Sequence, residues 1–534
     1  VGCPAKTSTR ARHMTLRTKI KRNAYYDSVT LMLLSRELQN LEGVEDVLVG
    51  MGTDLNLDLA RDLGLATSEL EALTPNDLFI AAKIDESKTS MDVLESAFND
   101  YLNKRAETDG DDDFQPSSLS SAIQSMPGAN MVLVSIAGEY AAAEVDEALD
   151  AGLHVMLFSD NVSVEDELRL KQKAVEKGLL MMGPDCGTAI INGKPLCFAN
   201  AVRRGKIGVV GASGTGTQEV TVQVHKLGEG LSQVIGTGGR DLKEQIGGLM
   251  MIQGFQSLIA DPETDLIVLI SKPPAPSVAE KIYQIAKTSP KPVVIDFIGG
   301  DRAAVEAAGA VPCISLEDAA QKAVRILRGE AYADFTGFSL PDEQIDRIIE
   351  REVAKLKPDQ TELRALFTGG TLADEAMKLL GVHHDIYSNI PLSPEMAIEN
   401  LPSGRGHICL DLGEDKFTRG RPHPMIDPQT RTEFFKSHVD GNTGVILVDV
   451  VLGFGSYHDP AGAVAESVRE IRHRLAEQGK DVVVVASVCG TELDSQDLNK
   501  SIETLEAEGV IVLPSNAQAV RFTDRVLQRM KKGV

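Results

Sequence analysis

The sequence predicts a multi-domain α/β protein: a small N-terminal α+β domain precedes parallel-sheet units, and the last two units are diverged copies of one flavodoxin-like domain. Three observations predict it. The chain has 534 residues, more than one hydrophobic core usually serves. Buried-strand runs such as NMVLVSI and LHVMLFS alternate with helical segments, the pattern of a parallel sheet with right-handed crossovers. Five motifs then recur in the same order: GVVGASGTGTQEV with ALFTGGTLADEA, QVIGTGGRDL with HICLDLGEDKF, LIVLISKPPAP with GVILVDVVLGFG, VVIDFIGGD with VVVASVCGTE, and VPCISLEDAAQKAV with VIVLPSNAQAV. An ordered set of echoes argues for tandem domains.

Residues 1–13, VGCPAKTSTRARH, are basic and lack the apolar stretch of a secretory signal, so they read as a leader or disordered segment. A mitochondrial presequence competes, since the segment has no acids, but it is short and weakly amphipathic. Residues 14–107 alternate strand and helix, with strands over 44–51 and 78–84 and helices over 28–41 and 91–104, as in a small α+β (ferredoxin-like) domain. TDGDDDFQPSSLSS joins a charge block to Pro and Ser and marks 108–121 as a linker. A parallel-sheet unit follows at 122–204. The first of the paired units occupies 205–330, a polar helical linker 331–360, and the second paired unit 361–534.

Hydrophobic residues make up 43% and charged residues 25%, and no apolar run approaches a membrane span. The net charge of -24 opposes attraction to nucleic acid or anionic lipid, so no nucleic-acid or membrane partner is expected and an anionic substrate needs a local positive site. Six cysteines, Cys3, Cys186, Cys197, Cys313, Cys409 and Cys489, are scattered without metal spacing and read as reduced cytoplasmic thiols; no metal site is expected.

The chemistry-bearing features are glycine turns at helix starts. In GASGTGTQE a strand passes through Ser213, Gly214, Thr215, Gly216 and Thr217 into a helix, where free N–H groups and the helix dipole favour an anion. No Lys follows the final Gly, so it is not a P-loop. A glycine turn needed only for tight packing explains one such loop equally well. FTGGTLADE supplies a second start at Gly369, Gly370 and Thr371. Further turns at Gly238, Gly239 and Arg240, and at Gly453, Gly455 and Ser456, belong to the same carboxyl edge of their sheets, where ligands bind in this fold class. The densest constellation is FTRGRPHPMID, whose Arg419, Arg421 and His423 suit a carboxylate or phosphate. Arg421 and His423 are the candidate catalytic pair, His423 by its pKa. Pairing of these arginines with local acids is the plainer alternative. Lys272 and Arg302 are weaker candidates, and Cys186 in GPDCGT reads as a buried small thiol.

From about Ala129 onwards, AGEYAAAEVDEALDAGLHVMLFSDNV, EKGLLMMGPDCGT, GASGTGTQE, GTGGRDL, SKPPA, FTGGTLADEA and RPHPMID resemble the succinyl-CoA synthetase superfamily, and most closely its FdrA branch of acyl-CoA-synthetase-like proteins. The resemblance implies a Rossmann-like CoA-binding-like domain at 122–204 and two flavodoxin-like succinyl-CoA-synthetase-type ligase domains at 205–330 and 361–534. It also implies that the helices bracketing the phosphohistidine of the synthetases start at Ser213–Thr217 and Gly453–Ser456. Departures bear on the reaction. The synthetases phosphorylate a histidine in GHAGA, where this chain reads RAAVEAAGA over 302–310, and their GEIGG carboxylate segment is replaced by SKPPA. The Gly-rich opening of a CoA-binding domain has no counterpart, and no stretch is left for an ATP-grasp domain.

FdrA-like proteins are linked with anaerobic allantoin catabolism, and the resemblance implies a subunit of an oxamate carbamoyltransferase, which interconverts carbamoyl phosphate plus oxamate with oxalurate plus phosphate. Carbamoyl phosphate is already activated, so neither phosphohistidine nor a bound cofactor is required, and helix starts with Arg groups would hold the departing phosphate. The expected partners are those small anions and further protein subunits. The alternatives are an acyl-CoA synthetase or CoA-dependent acyltransferase, which calls for CoA and a partner subunit, and a non-catalytic scaffold subunit.

Overall fold

A computed structural model of the chain describes residues 14–398 and 406–532, apart from Asn23, Tyr25, Asp27, residues 109–115, Ser117 and Gly420. The leader at 1–13 and the acidic part of the linker at 108–121 therefore lie outside the described residues. The chain divides into two compact units. One runs to Ser125 and includes Arg419–Pro422; the other comprises Met126–Thr418 and the chain from His423 on.

In the first unit, β1 (Met14–Lys21), α1 (Ser28–Gln39), β2 (Val44–Met51), α2 (Asp54–Asp62), β3 (Leu78–Asp85) and α3 (Met91–Thr108) build an antiparallel sheet of order β1-β3-β2, with α4 (Leu119–Ser125) following. Central β3 is buried on both faces, which is why LFIAA does not alternate. Leu78 and Ile80 cluster with Leu34 of α1 and Phe98 of α3, and Phe79 and Ala81 with Leu57 and Ala60 of α2. The outer edge of β2 is closed by α1: the Val47 N–H donates to Gln39 Oε1 (3.1 Å) and the Val49 N–H to Ser35 Oγ (2.8 Å).

The second unit opens with β4 (Met131–Val134), α5 (Gly138–Asp150), β5 (His154–Leu157), α6 (Val164–Glu176) and β6 (Met181–Met182), whose strands form a parallel sheet. The hairpin β7 (Thr188–Ile191) and β8 (Lys194–Cys197) pairs instead with the next sheet, antiparallel to β10.

That next sheet holds β9 (Arg204–Gly211), α7 (Gly214–Lys226), β10 (Leu231–Gly236), α8 (Leu249–Ala260), β11 (Leu266–Ser271), α9 (Pro276–Thr288), β12 (Val293–Phe297), α10 (Arg302–Ala307), β13 (Val311–Pro312) and α11 (Leu316–Leu327). Helix α12 (Asp342–Val353) bridges to β14 (Glu362–Phe367), α13 (Gly370–Leu380), β15 (Ile386–Ser388), β16 (His407–Asp411), α14 (Asp415–Thr418), α15 (Gln429–His438), β17 (Thr443–Val451), α16 (Pro460–Ala476), β18 (Val483–Cys489), α17 (Leu498–Ala507), β19 (Ile511–Leu513) and α18 (Asn516–Lys532).

The parallel strands run β10-β9-β11-β12-β13 in one sheet and β15-β16-β14-β17-β18-β19 in the other. With the additional edge strand β15 set aside, both copies have the order 2-1-3-4-5, the flavodoxin-like arrangement that the repeated motifs predict. Between the sheets, α7, α11, α13 and α18 share one core, with Val209 and Val268 of the first sheet and Ala365 and Leu447 of the second in the same apolar cluster. The outer faces have cores of their own, Val210 with Phe255 and Ile282 on one side and Leu366 with Phe435 and Val468 on the other. The central strands, such as β11 and β17, are thus covered on both faces, the physical cause of their continuous apolar runs. Among the described residues no helix is long and apolar enough to cross a membrane.

Candidate functional site

The two glycine turns meet start to start. Ser213 caps α7, its Oγ accepting from the Gly216 N–H (3.1 Å), and the same hydroxyl lies 2.6 Å from Thr371 Oγ1 in the first turn of α13. The approach is reciprocal: a Cβ on Gly216 would sit 2.8 Å from Thr371 Cγ2, and one on Gly369 would sit 2.7 Å from Thr215 Cγ2. The glycines therefore let two helix N-termini touch. Among the described residues, the N–H groups of Gly214 and Thr215 in α7 and of Gly370, Thr371 and Leu372 in α13 donate to nothing, as first-turn amides do without a cap or ligand. The helix start facing Ser213–Thr217 is thus Gly369–Thr371.

Buried glutamates repeat the symmetry one turn deeper. Glu219 Oε1 accepts from the Asn516 N–H (3.1 Å), and Glu375 Oε1 from the Leu316 N–H (2.8 Å), so each carboxyl caps the terminal helix of the opposite copy. Glu375 Oε2 also accepts from Asn516 Nδ2 (2.7 Å). Burial pushes Glu375 up to about 8 against these hydrogen bonds, with Asp296 and Glu219 adding to the rise, and burial raises Glu219 as well.

The second start carries charges that the first lacks. Asp449 of β17, fully buried, accepts from the N–H of Thr368 (2.9 Å), the N–H of Gly369 (2.8 Å), Thr368 Oγ1 (3.0 Å) and Arg431 Nη1 (3.0 Å). The Gly369 N–H is therefore committed to a carboxylate of the chain itself. Asp411 ends β16; its Oδ1 accepts from the Gly413 N–H (2.9 Å), and its Oδ2 lies where a Cβ on Gly370 would fall. Burial, with Glu414 and Asp449 nearby, pushes Asp411 up to about 7, while the Gly413 N–H and Lys272 act the other way.

His423 joins this end. Its Nε2 lies 2.5 Å from the place of a Cβ on Gly413, and Asp411 Oδ1 lies 3.2 Å from the same point. Its Nδ1 accepts from the Met425 N–H (3.2 Å), which leaves the proton on Nε2. Burial pulls its pKa down to about 4, so the imidazole is neutral at pH 7. Lys272, a weak candidate from sequence, acts on Asp411 through its charge. Arg419 and Arg421 divide with the first compact unit and His423 with the second.

Other sequence candidates are engaged in packing. Arg240 binds Glu167 through Nε (2.9 Å) and Val162 O through Nη2 (2.7 Å). Glu167 and Asp241 in turn hold the buried Lys171 at 2.8 Å each. A Cβ on Gly238 would overlap the Pro184 carbonyl oxygen, and Gly239 follows in the same turn, so GTGGRD is the seat of the GPDC turn rather than an open loop. Gly238 also has φ +83°. Gly238→Ala is expected to lower stability by about 2 kcal/mol, read as a fall in the denaturant midpoint, since both backbone conformation and space exclude the methyl. Gly453 and Gly455 pack on Ala199 and Phe198, with the Phe454 N–H donating to Ala199 O (2.9 Å). Ser456 Oγ is buried with no hydrogen-bond partner among the described residues. Arg302 pairs with Asp334 at 2.8 Å on the surface. Cys186 is buried, its thiol pushed up to about 12, which fits a packing role.

Sequence reasoning missed Asp411, Asp449 and Arg431. A signal existed for one of them: Asp449 interrupts the apolar strand TGVILVDVV, every residue of which is buried. A lone acid there demands a partner.

Fold and site together define a protein of the CoA-ligase class. Residues 366–526 match the CoA-ligase family, residues 202–299 the CoA binding domain, and residues 14–116 the AllF, heavy metal-associated domain. The matched N-terminal stretch contains no cysteine, and among the described residues no group of three His, Cys, Asp or Glu is placed to hold a metal ion. The chain is 44% identical over 505 residues to the uncharacterized protein YahF of Escherichia coli, covering 94% of this chain and 97% of that one. It is 31% identical over 208 residues to the malate-CoA ligase subunit alpha of Methylorubrum extorquens, covering 37% and 69%. With the succinate-CoA ligase subunit alpha of Aquifex aeolicus it shares 31% over 178 residues, 32% and 57% of the two chains. The chain belongs to the FdrA-type family of the succinyl-CoA synthetase superfamily, with an AllF-like N-terminal domain.

Proposed function

We propose that the chain is the CoA-ligase-type subunit of an acyl-group transferase that acts with partner subunits and does not itself carry a phosphoryl group on histidine. The observation that carries this reading is the direct contact of the two helix starts, Ser213 Oγ to Thr371 Oγ1 at 2.6 Å, taken with the absence of histidine from the sequence 302–310. Free amides at both starts suit an anion such as phosphate or an acyl phosphate. The CoA-ligase and CoA binding domain matches support CoA as the acyl acceptor. Neutral His423 would orient or polarise a carbonyl rather than add charge.

A second reading is favoured by the AllF-like N-terminal domain: transfer of the carbamoyl group from carbamoyl phosphate to oxamate. It needs no phosphohistidine, because the donor arrives activated. In the second unit, Ser213–Thr217 would hold the phosphate and Gly369–Thr371 would line the same site. The chain assembled with the subunits that co-purify with it separates the two readings. CoA-dependent acyl transfer is the expected outcome under the first. Phosphate release from carbamoyl phosphate that depends on oxamate and not on CoA would replace it with the second, and binding without turnover in every subunit combination would leave a scaffold subunit.

A further inference from the structure

Transfer of an acyl group leaves a proton to be placed. As the carbon–sulfur bond to CoA forms and the carbon–oxygen bond to phosphate breaks, the thiol gives up its hydrogen, and transfer to an amide nitrogen releases one likewise. His423 does not accept it: its Nδ1 lone pair already takes the Met425 N–H (3.2 Å), and its Nε2 carries the hydrogen. Asp411 offers an acceptor instead. Asn389, directly after β15, clamps the Asp411 backbone, its Nδ2 donating to the Asp411 carbonyl (2.9 Å) and its Oδ1 accepting from the Asp411 N–H (3.0 Å). The Gly413 N–H then fixes Asp411 Oδ1 (2.9 Å). Among the described residues Oδ2 accepts from nothing, and it lies against Gly370, where a Cβ would come within 2.2 Å of it. Any side chain at 370 would cover this oxygen. The residue is 5% exposed, so the carboxyl is enclosed without being sealed.

We propose that Asp411 is the general base of the transfer: Oδ2 takes the proton from the accepting nucleophile, the thiol of CoA or an amide nitrogen, while the acyl carbon parts from phosphate, and returns it to the departing phosphate or to water. The proposal rests on the reading of the chain as an acyl-group transferase and adds the group that moves the proton. Gly370 opens α13 and precedes Thr371, whose hydroxyl touches the Ser213 cap of α7, so Oδ2 stands beside the junction where that reading sets the acyl phosphate. Burial raises Asp411 to about 7; the Gly413 N–H and Lys272, at the end of β11, oppose the rise, and Glu414 and Asp449 add to it. Asp449 is itself paired with Arg431 of α15, the Cys409 thiol lies on the same strand as Asp411, and His423 is uncharged at pH 7. A carboxyl so balanced exchanges its proton at the working pH, where a general base is most effective, whereas an ordinary aspartate of about 4 takes a thiol proton poorly.

The pH dependence of turnover tests this in the chain assembled with the subunits that co-purify with it, given acetyl phosphate with CoA and carbamoyl phosphate with oxamate. For the wild type, kcat/KM should rise with pH and level off above about 7, where Asp411 has lost its proton. Asp411→Asn keeps an acceptor for the Gly413 N–H. It should lower kcat at pH 7.5 by about 10²–10⁴-fold, leave the KM for the acyl or carbamoyl phosphate unchanged, and show a rate that climbs on past neutrality as the nucleophile sheds its own proton. Asn389→Ala keeps the carboxyl but frees its backbone; it should lower kcat by a smaller factor and still level off near 7. A wild-type profile without that acid limb, an Asp411→Asn enzyme of unchanged kcat, or one that still levels off near 7 would each overturn the proposal and leave the transferase reading standing. Should Asp411→Asn lose its native circular dichroism spectrum, an Asn389→Ala enzyme with wild-type kcat would overturn it in the same way. Turnover of neither substrate pair would remove both.

Discussion

Exchange of Arg431 for methionine is expected to destabilise the second flavodoxin-like domain by about 3–5 kcal/mol, the cost of leaving a buried carboxylate without its cation. Arg431 is 3% exposed and Asp449 fully buried, so solvent cannot replace the lost partner. Burial already raises the Asp449 pKa, and Arg431 is the charge that opposes the rise. The loss reaches the site directly, because Asp449 holds the N–H groups of Thr368 and Gly369 at the entry to α13. The midpoint of the corresponding denaturant transition measures the effect. Removal of both charges in Arg431→Met with Asp449→Asn should recover much of it, since Asn still accepts from the turn. Equal loss in the double and single variants would show that the pair is not the cause.

The second large effect concerns pH. Glu375 is held up to about 8 in the fold against an ordinary value near 4.5. Between those values the folded chain binds a proton that the unfolded chain has released, so stability falls as pH rises across that window, by about 1.4 kcal/mol per unit for one proton, and levels off above it. Glu375→Gln, which keeps acceptor and donor capacity beside Leu316 and Asn516, should flatten this slope and be the more stable form at pH 8. Thermal or denaturant midpoints from pH 5 to 9 read the result; an unchanged slope would place the proton elsewhere, with Asp296, pushed up to about 7 by burial, as the next group to exchange.

The architecture was legible because it is written in local pattern. The strand over 44–51 falls where β alternation and turn residues place it, and the helix at Val164 begins at the Ser163 cap, whose side chain accepts from the Asp166 N–H. Five ordered echoes identified two copies, and the 2-1-3-4-5 order that they share, apart from the added edge strand β15, follows from the same hydrophobic runs. The hairpin Thr188–Cys197 was less legible: its pairing with β10 is a long-range choice that no local pattern states.

Within the site, residue type alone did not sort the glycines. Gly216 and Gly369 permit two helices to meet, whereas Gly238 and Gly453 permit loops to seat on backbone, and all four look alike in sequence. Arg240 looks like an anion binder until Glu167 is beside it.

The sequence by itself determined the domain pattern, the two helix starts and the missing histidine, since each depends on neighbours a few positions away. Only the tertiary structure decided that the starts touch, and that the buried acids Asp411 and Asp449 stand beside one of them. Those facts arise from side chains more than 35 residues apart brought within a few ångströms, where burial and Coulomb interaction set a carboxyl's role.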